Sequence, residues 1–249
     1  MKKLNTQLKL VAALGLVFTA LTATTARAED APKPDNEVSF NAALSSDYRY
    51  RGISQSRLKP ALSGGADYVN NPSGFYAGTW LSTIKWISDA GGDGDVEWDI
   101  YGGKKGEIAP GVSYDVGGLY YFYPSNGLPT SANTFELYGQ LGYGPGYIKY
   151  SHSTTNLFGT SDSKGSGYLD IGATFELTQG YMLNLHAGRQ NVKHNGAYSY
   201  TDYKVAVSKD FGFATVSLAA IYADTEAYVS PSGKNLSRTG AVLSVSKTF

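Results

Sequence analysis

The chain has 249 residues, no cysteine, and 21 basic against 21 acidic side chains, so its formal net charge is zero. This excludes a disulfide framework, thiolate metal sites and thiol chemistry, and it provides no basic footprint for nucleic acid. Glycine (30) and tyrosine (20) are in excess.

In chain order, Lys2, Lys3 and Lys9 come first, then the uncharged stretch Leu10–Thr25, then Ala26-Arg27-Ala28. A basic start, a short alanine-rich apolar core and a small-residue cleavage pattern predict a secretory signal peptide over 1–28 rather than an uncleaved anchor. Without its four bases the exported chain carries a net charge of about −4. Beyond it no run of 18 uncharged apolar residues offers a transmembrane helix. Residues 29–36 form a polar lead-in. Residues 37–249 predict one all-β domain of twelve alternating segments, near 37–51, 60–69, 74–87, 95–106, 111–123, 133–143, 146–157, 165–176, 181–191, 198–210, 213–224 and 238–249.

Successive strand side chains point to opposite faces. In the first segment Val38, Phe40, Ala42, Leu44, Tyr48 and Tyr50 oppose Ser39, Asn41, Asp47, Arg49 and Arg51. Val96, Trp98 and Ile100 oppose Glu97 and Asp99; Leu137 and Leu141 oppose Glu136; Leu169 and Ile171 oppose Asp170; Leu183 and Leu185 oppose His186. Facing stays ambiguous in 74–87 and in the upper half of 146–157. The connections alternate: GISQSRLK, SDAGGDGD, PSNGLPTSA, GTSDSKGS, KHNGA and TEAYVSPSGKNLS are long or polar, whereas NNPS, APG, GP, TQG and FG are tight. GYGPG at 142–146 reads as such a tight turn and not as a phosphate loop, since no helix follows.

Alternating loop lengths and uncharged apolar faces predict a closed antiparallel transmembrane β-barrel of about twelve strands, with short periplasmic turns and longer extracellular loops. A soluble lipocalin-like barrel would instead need a charged exterior around an apolar interior. Aromatic residues near the strand ends suggest two girdles: Tyr48, Tyr50, Trp98, Tyr120 and Phe122 toward the long loops, and Tyr68, Tyr114, Tyr143 and Tyr181 toward the short turns. In the last strand Ala241, Leu243, Val245 and Phe249 share one face, and Lys247 interrupts it at the rim, where a lysine can snorkel.

The stretches SSDYRYRGISQS, KPALSGGADY, SGFYAGTW, WDIYGG and YDVGGLYYFYP resemble the proteobacterial TorF-family porins. The resemblance runs from about Val38 to Phe249. It implies an outer-membrane barrel with a pore role and supplies no agreed substrate or site residues.

The function expected is an outer-membrane porin or channel for passive diffusion of small hydrophilic solutes or ions. The inward-facing, pore-lining set is Asp47, Arg49, Arg51, Asp67, Glu97, Asp99, Asp115, Glu136, Asp170, His186, Asp202 and Lys204, and charged groups there bias which ions pass. The alternative is that these groups pair across the lumen and plug it. An outer-membrane hydrolase is a further reading, but only His152, His186 and His194 are available as bases and no G-x-S-x-G or H-E-x-x-H motif occurs. In the run Asp89 to Asp99, Asp93, Asp95, Glu97 and Asp99 fall on one face. Without EF-hand spacing it reads as a solvated loop leading into lumen acids rather than a calcium site. No cofactor or metal is implied. The partners expected are outer-membrane lipids, small hydrophilic solutes or ions, and the barrel-assembly machinery during biogenesis, with no nucleic acid.

Overall fold

A computed structural model describes residues 34–249; the signal peptide expected over 1–28 and the lead-in up to residue 33 lie outside the described residues. The strands are β1 (Asn36–Ser45), β2 (Arg49–Tyr50), β3 (Ile53–Ser54), β4 (Ala61–Asn70), β5 (Phe75–Thr83), β6 (Val96–Ala109), β7 (Val112–Phe122), β8 (Thr134–Tyr143), β9 (Gly146–Ser153), β10 (Gly167–Glu176), β11 (Tyr181–Asn191), β12 (Tyr200–Asp210), β13 (Thr215–Ala223) and β14 (Gly240–Thr248). β1 and β4 to β14 pair antiparallel in sequence order, and β14 returns to β1, closing a twelve-stranded barrel. Closure places Asn41 opposite Thr248 and Ser45 opposite Ser244. Beyond the last paired residue, the Phe249 N–H donates to the Phe40 carbonyl at 2.8 Å.

The period-two pattern dictates the wall. Along β10, Asp170 is 6% exposed and Ile171 is 51% exposed. Since the sheet is closed, alternate residues must face the lumen or the outside. In the ambiguous segment of β5, Tyr76, Trp80 and Ser82 turn inward and Phe75 and Leu81 outward. In β9, Lys149, Ser151 and Ser153 turn inward and Ile148 and Tyr150 outward. The six longer connections therefore cluster at one end and the five short turns at the other.

The excess of glycine and tyrosine has a common cause. Inward tyrosines lie across inward glycines of adjacent strands. A Cβ on Gly103 would fall 2.6 Å from the Tyr76 hydroxyl, and one on Gly117 would fall 2.6 Å from that of Tyr138. At these positions a narrow barrel holds a large ring because the facing residue has no side chain.

The expected length of the first strand fails. The first segment does not run to Arg51: β1 ends at Ser45, where its pairing with both β4 and β14 stops. Tyr48 and Tyr50 therefore leave the outer face and do not join an aromatic girdle. Tyr48 is 5% exposed, meets the Trp80 ring edge-on at 5.3 Å and donates its hydroxyl to Glu97 at 2.5 Å. Alternation continues in the sequence after its physical basis, the ladder, has ended. Tyr68, Trp98, Tyr143 and Tyr181 do lie exposed on the outer face. Lys247 reaches the rim, where its Nζ donates to the Gly212 carbonyl in the turn between β12 and β13.

Candidate functional site

After Ser45 the chain folds into the mouth of the barrel. Asp47 organises this loop: its carboxylate accepts from Arg49 Nε (2.5 Å), Ser54 Oγ (2.6 Å) and Ser56 Oγ (3.0 Å). The Tyr48 N–H donates to Ser56 Oγ at 3.0 Å. β2 and β3 form a small hairpin whose two turn residues, Arg51 (φ 44) and Gly52 (φ 81), are both left-handed, as a primed hairpin turn requires. Glycine is needed at 52 for space as well. A Cβ there would lie 2.7 Å from that of Asp202 on β12 and 2.9 Å from that of Ala223 on β13.

The hairpin tip spans the lumen. Arg51 makes a two-pronged pair with Glu136 on β8 (Nη1–Oε1 3.0 Å, Nη2–Oε2 2.7 Å), and its Nη1 donates to Gln190 Oε1 on β11 at 2.7 Å. Its guanidinium lies 4.7 Å from the Tyr50 ring centroid and 4.2 Å from that of Tyr168 on β10. Tyr50 bonds Tyr121 on β7 at 2.7 Å. Burial pushes the Tyr48 and Tyr50 phenols well above their ordinary range, so both stay neutral. Arg49 does not line the wall. It donates to the carbonyls of Gly52 (3.0 Å), Leu236 (3.0 Å) and Arg238 (3.2 Å), tying the first loop to the last.

The other residues expected to face inward do so, in three groups. Glu97 accepts from Tyr48 and, at 2.8 Å, from Tyr123. Its neighbour Asp99 is 1% exposed, and neither carboxylate oxygen has a hydrogen-bond partner among the described residues. Asp67 accepts from Tyr101 at 2.6 Å and Asp115 from Tyr76 at 2.6 Å. On the far wall His186 lies between two acids, Nδ1 to Asp170 at 2.9 Å and Nε2 to Asp202 at 2.8 Å. Tyr147 donates to Asp170 and Tyr168 to Asp202. Lys204 sits opposite His186 in register.

Several contributors were not in the expected set. Lys149, 7% exposed and with its ammonium 4.1 Å from the Tyr138 ring centroid, lies in the lower half of its segment, where alternation with Ile148 and Tyr150 could have placed it inward. Gln190 and the lumen tyrosines carry no charge, so a search for ionisable groups passes over them. His152 faces outward, and His194 pairs with Asp162 in the outer loops at 3.0 Å.

The acidic run disperses. Asp89 pairs with Arg57, and Asp95 with Lys85 (2.7 Å) and Ser88 (2.8 Å), while Glu97 and Asp99 turn into the lumen on β6. Asp93 and Asp95 precede the strand, so the four acids do not share one strand face. The hydrogen bond from Lys85, helped by that from Ser88, holds the Asp95 carboxyl below its usual range.

Solvent reaches the two halves of the lumen unequally. Glu97, Asp99, Glu136 and Asp202 near the long-loop end are at most 2% exposed, whereas nearer the short turns Asp67, Lys105, Thr174 and Ser208 are partly accessible beside the buried Asp115 and Gln140. Above the hairpin, a cavity of about 140 Å³ opens between the first loop and its neighbours.

Comparison with known proteins fits this geometry. The sequence model of the family described as "Bacterial protein of unknown function (Gcw_chp)" matches residues 29–249. No curated protein matches. Among solved structures the chain is similar to "KdgM porin", with TM-score 0.53 and 7% identity over 85% of this chain and 97% of that one. It is likewise similar to "NanC porin structure in rhombohedral crystal form", with TM-score 0.53 and 10% identity over 85% of this chain and 98% of that one. At such identities the likeness is one of fold.

Proposed function

For a chain that belongs to the Gcw_chp family of bacterial proteins of unknown function, we propose an outer-membrane channel for passive diffusion of small hydrophilic solutes or ions. Its first loop, folded into the mouth, sets the narrowest level. The observation that carries this reading is Arg51, which reaches across the lumen to Glu136 and Gln190 inside a barrel with an apolar outer face.

The physical support is the pairing of two environments. Every barrel strand has a paired neighbour on each side, so the wall presents no open edge to lipid. The outward band includes Leu44, Leu62, Ile100, Leu137, Ile171 and Leu243, all well exposed and so without protein neighbours to cover them. The inner wall carries acids, lysines and phenols suited to water and ions. The barrel fold shared with the two porins and the resemblance of the sequence to TorF-family porins support the same reading. Lipid outside, solute inside and barrel-assembly machinery acting on the strand ending in Phe249 are the partners it implies. The pore-lining role of the twelve expected residues belongs to this proposal, with Asp47 and Arg49 acting by holding the loop. A hydrolase is disfavoured by His186 itself: both ring nitrogens meet carboxylates, leaving neither free to take a proton from a nucleophile.

Planar-bilayer recordings test the proposal. The purified protein is expected to give small, discrete conductance steps. Arg51→Gln removes the one permanent positive charge at the hairpin tip and should raise cation preference, more so at low salt where screening is weaker. Absence of steps in both proteins would leave a plugged barrel. Steps with an unchanged reversal potential in the variant would remove Arg51 from ion selection.

A further inference from the structure

The cavity above the hairpin is unlike the rest of the lumen. Of its fourteen lining residues none carries a charge and six are aromatic. Members of two hydrophobic clusters line it. Phe158 meets Tyr50 at 5.5 Å and Trp86 at 6.5 Å, both edge to face, while Tyr200 and Tyr228 meet at 5.4 Å against Ile53 and Leu236. Burial pushes the Tyr50 phenol well up and that of Tyr228 up, so these too stay neutral. Arg51 is absent from the lining, being engaged by Glu136 and Gln190.

Volume and chemistry together restrict the occupant. An apolar cavity of roughly 150 Å³ is enough to hold benzene. A carboxylate or ammonium entering here would lose hydration with no counter-charge to replace it, and the attraction of the ring faces for a cation offsets only part of the ammonium's loss. A sugar ring would need partners for several hydroxyls, whereas the Trp86 indole N–H, buried and without a partner among the described residues, offers one donor and both lining glutamines already donate within the protein. Gln55 Nε2 donates to the Ile53 carbonyl at 3.0 Å, and Gln190 Nε2 to that of Gly167 at 3.2 Å. The Gln190 side-chain oxygen accepts from Arg51 and, as an amide oxygen, retains a second lone pair for a single hydroxyl.

We propose that this cavity binds a small, uncharged aromatic ring carrying about one hydroxyl, of phenol size. Such a ligand would rest on Tyr50 and beside Gln190, two residues that also hold Arg51. The site is therefore continuous with the narrowest level of the lumen. The inference stands on the loop geometry and does not require that the barrel conduct.

The test is titration of the intact protein in detergent with phenol, followed by calorimetry and ligand-observed NMR. Benzoate, benzylammonium and glucose serve as comparators. Phenol is expected to bind saturably and not to be displaced by the three comparators. Thr160→Trp, which fills the cavity from a partly exposed lining position, should abolish binding while leaving the barrel folded on unheated gels. Should that variant fail to fold, Val192→Phe fills the same space. Absence of saturable phenol binding, binding that survives in a folded filled variant, or glucose or benzoate binding as tightly as phenol would each overturn the proposal. Phenol binding by a protein that gives no conductance steps would defeat the channel reading and leave this one intact.

Discussion

Glu136 and Asp99 are buried carboxylates in the same half of the lumen, and their surroundings predict opposite responses to neutralisation. Glu136 receives both prongs of Arg51 and its neutral analogue would leave a guanidinium buried without its counter-charge. Breaking a buried pair in this way costs roughly 3–5 kcal/mol. Asp99 is fully buried, accepts no hydrogen bond among the described residues, and lies close enough to Glu97 and Glu136 for their charges to disfavour its own. Its replacement removes repulsion and takes away no bond. Glu136→Gln should therefore unfold at clearly lower urea than the parent, while Asp99→Asn should unfold at the same or higher urea. Equal losses in the two variants would mean that Asp99 has a partner that matters.

At the scale of elements the first loop is the decisive one. Asp47, Ser54 and Ser56 fold it upon itself, Arg49 fastens it to the last loop, and Arg51 and Tyr50 fasten it to four strands of the wall. Gly52 is its contact with β12 and β13. In Gly52→Ala the added methyl meets Asp202 and Ala223, and a left-handed φ adds about 1 kcal/mol of backbone strain. The tip should then withdraw from that wall. Single-channel recordings are expected to show a larger and noisier conductance than the parent, with the barrel still folded. A conductance equal to that of the parent would show that the wall tolerates the methyl and that the loop's other anchors hold the tip in place.

For the whole molecule, the property that matters is closure. A closed ladder has no edge at which to begin unzipping, and Phe249 seals the final seam against Phe40 at both of its backbone groups. Unheated protein in detergent sample buffer should therefore migrate as a compact folded species, and boiled protein at a different position. Co-migration of the two samples, with the protein recovered in the soluble periplasmic fraction, would contradict a membrane barrel.

Strand number, the facing of most strands and the sorting of loops into long and short were legible in the residue order. These are local properties: the pleat alternates side chains every residue, and a turn is short or long whatever lies across the barrel. Inward placement of Glu97, Asp99, Asp115, Glu136, Asp170, His186 and Asp202 followed from the same alternation. What alternation could not reveal is where the ladder stops. Tyr48 and Tyr50 keep the period of a strand after β1 has lost its partners, and only the three-dimensional arrangement turns them inward. The partners of Arg51 are likewise remote, 85 residues away at Glu136 and 139 at Gln190. Sequence alone determined a barrel with an apolar outside and a charged inside, because that requires only the period of the side chains. Tertiary structure decided that the first loop enters the barrel, because contacts between distant strands give that loop more hydrogen bonds and ring contacts within the mouth than its own residues could supply outside it.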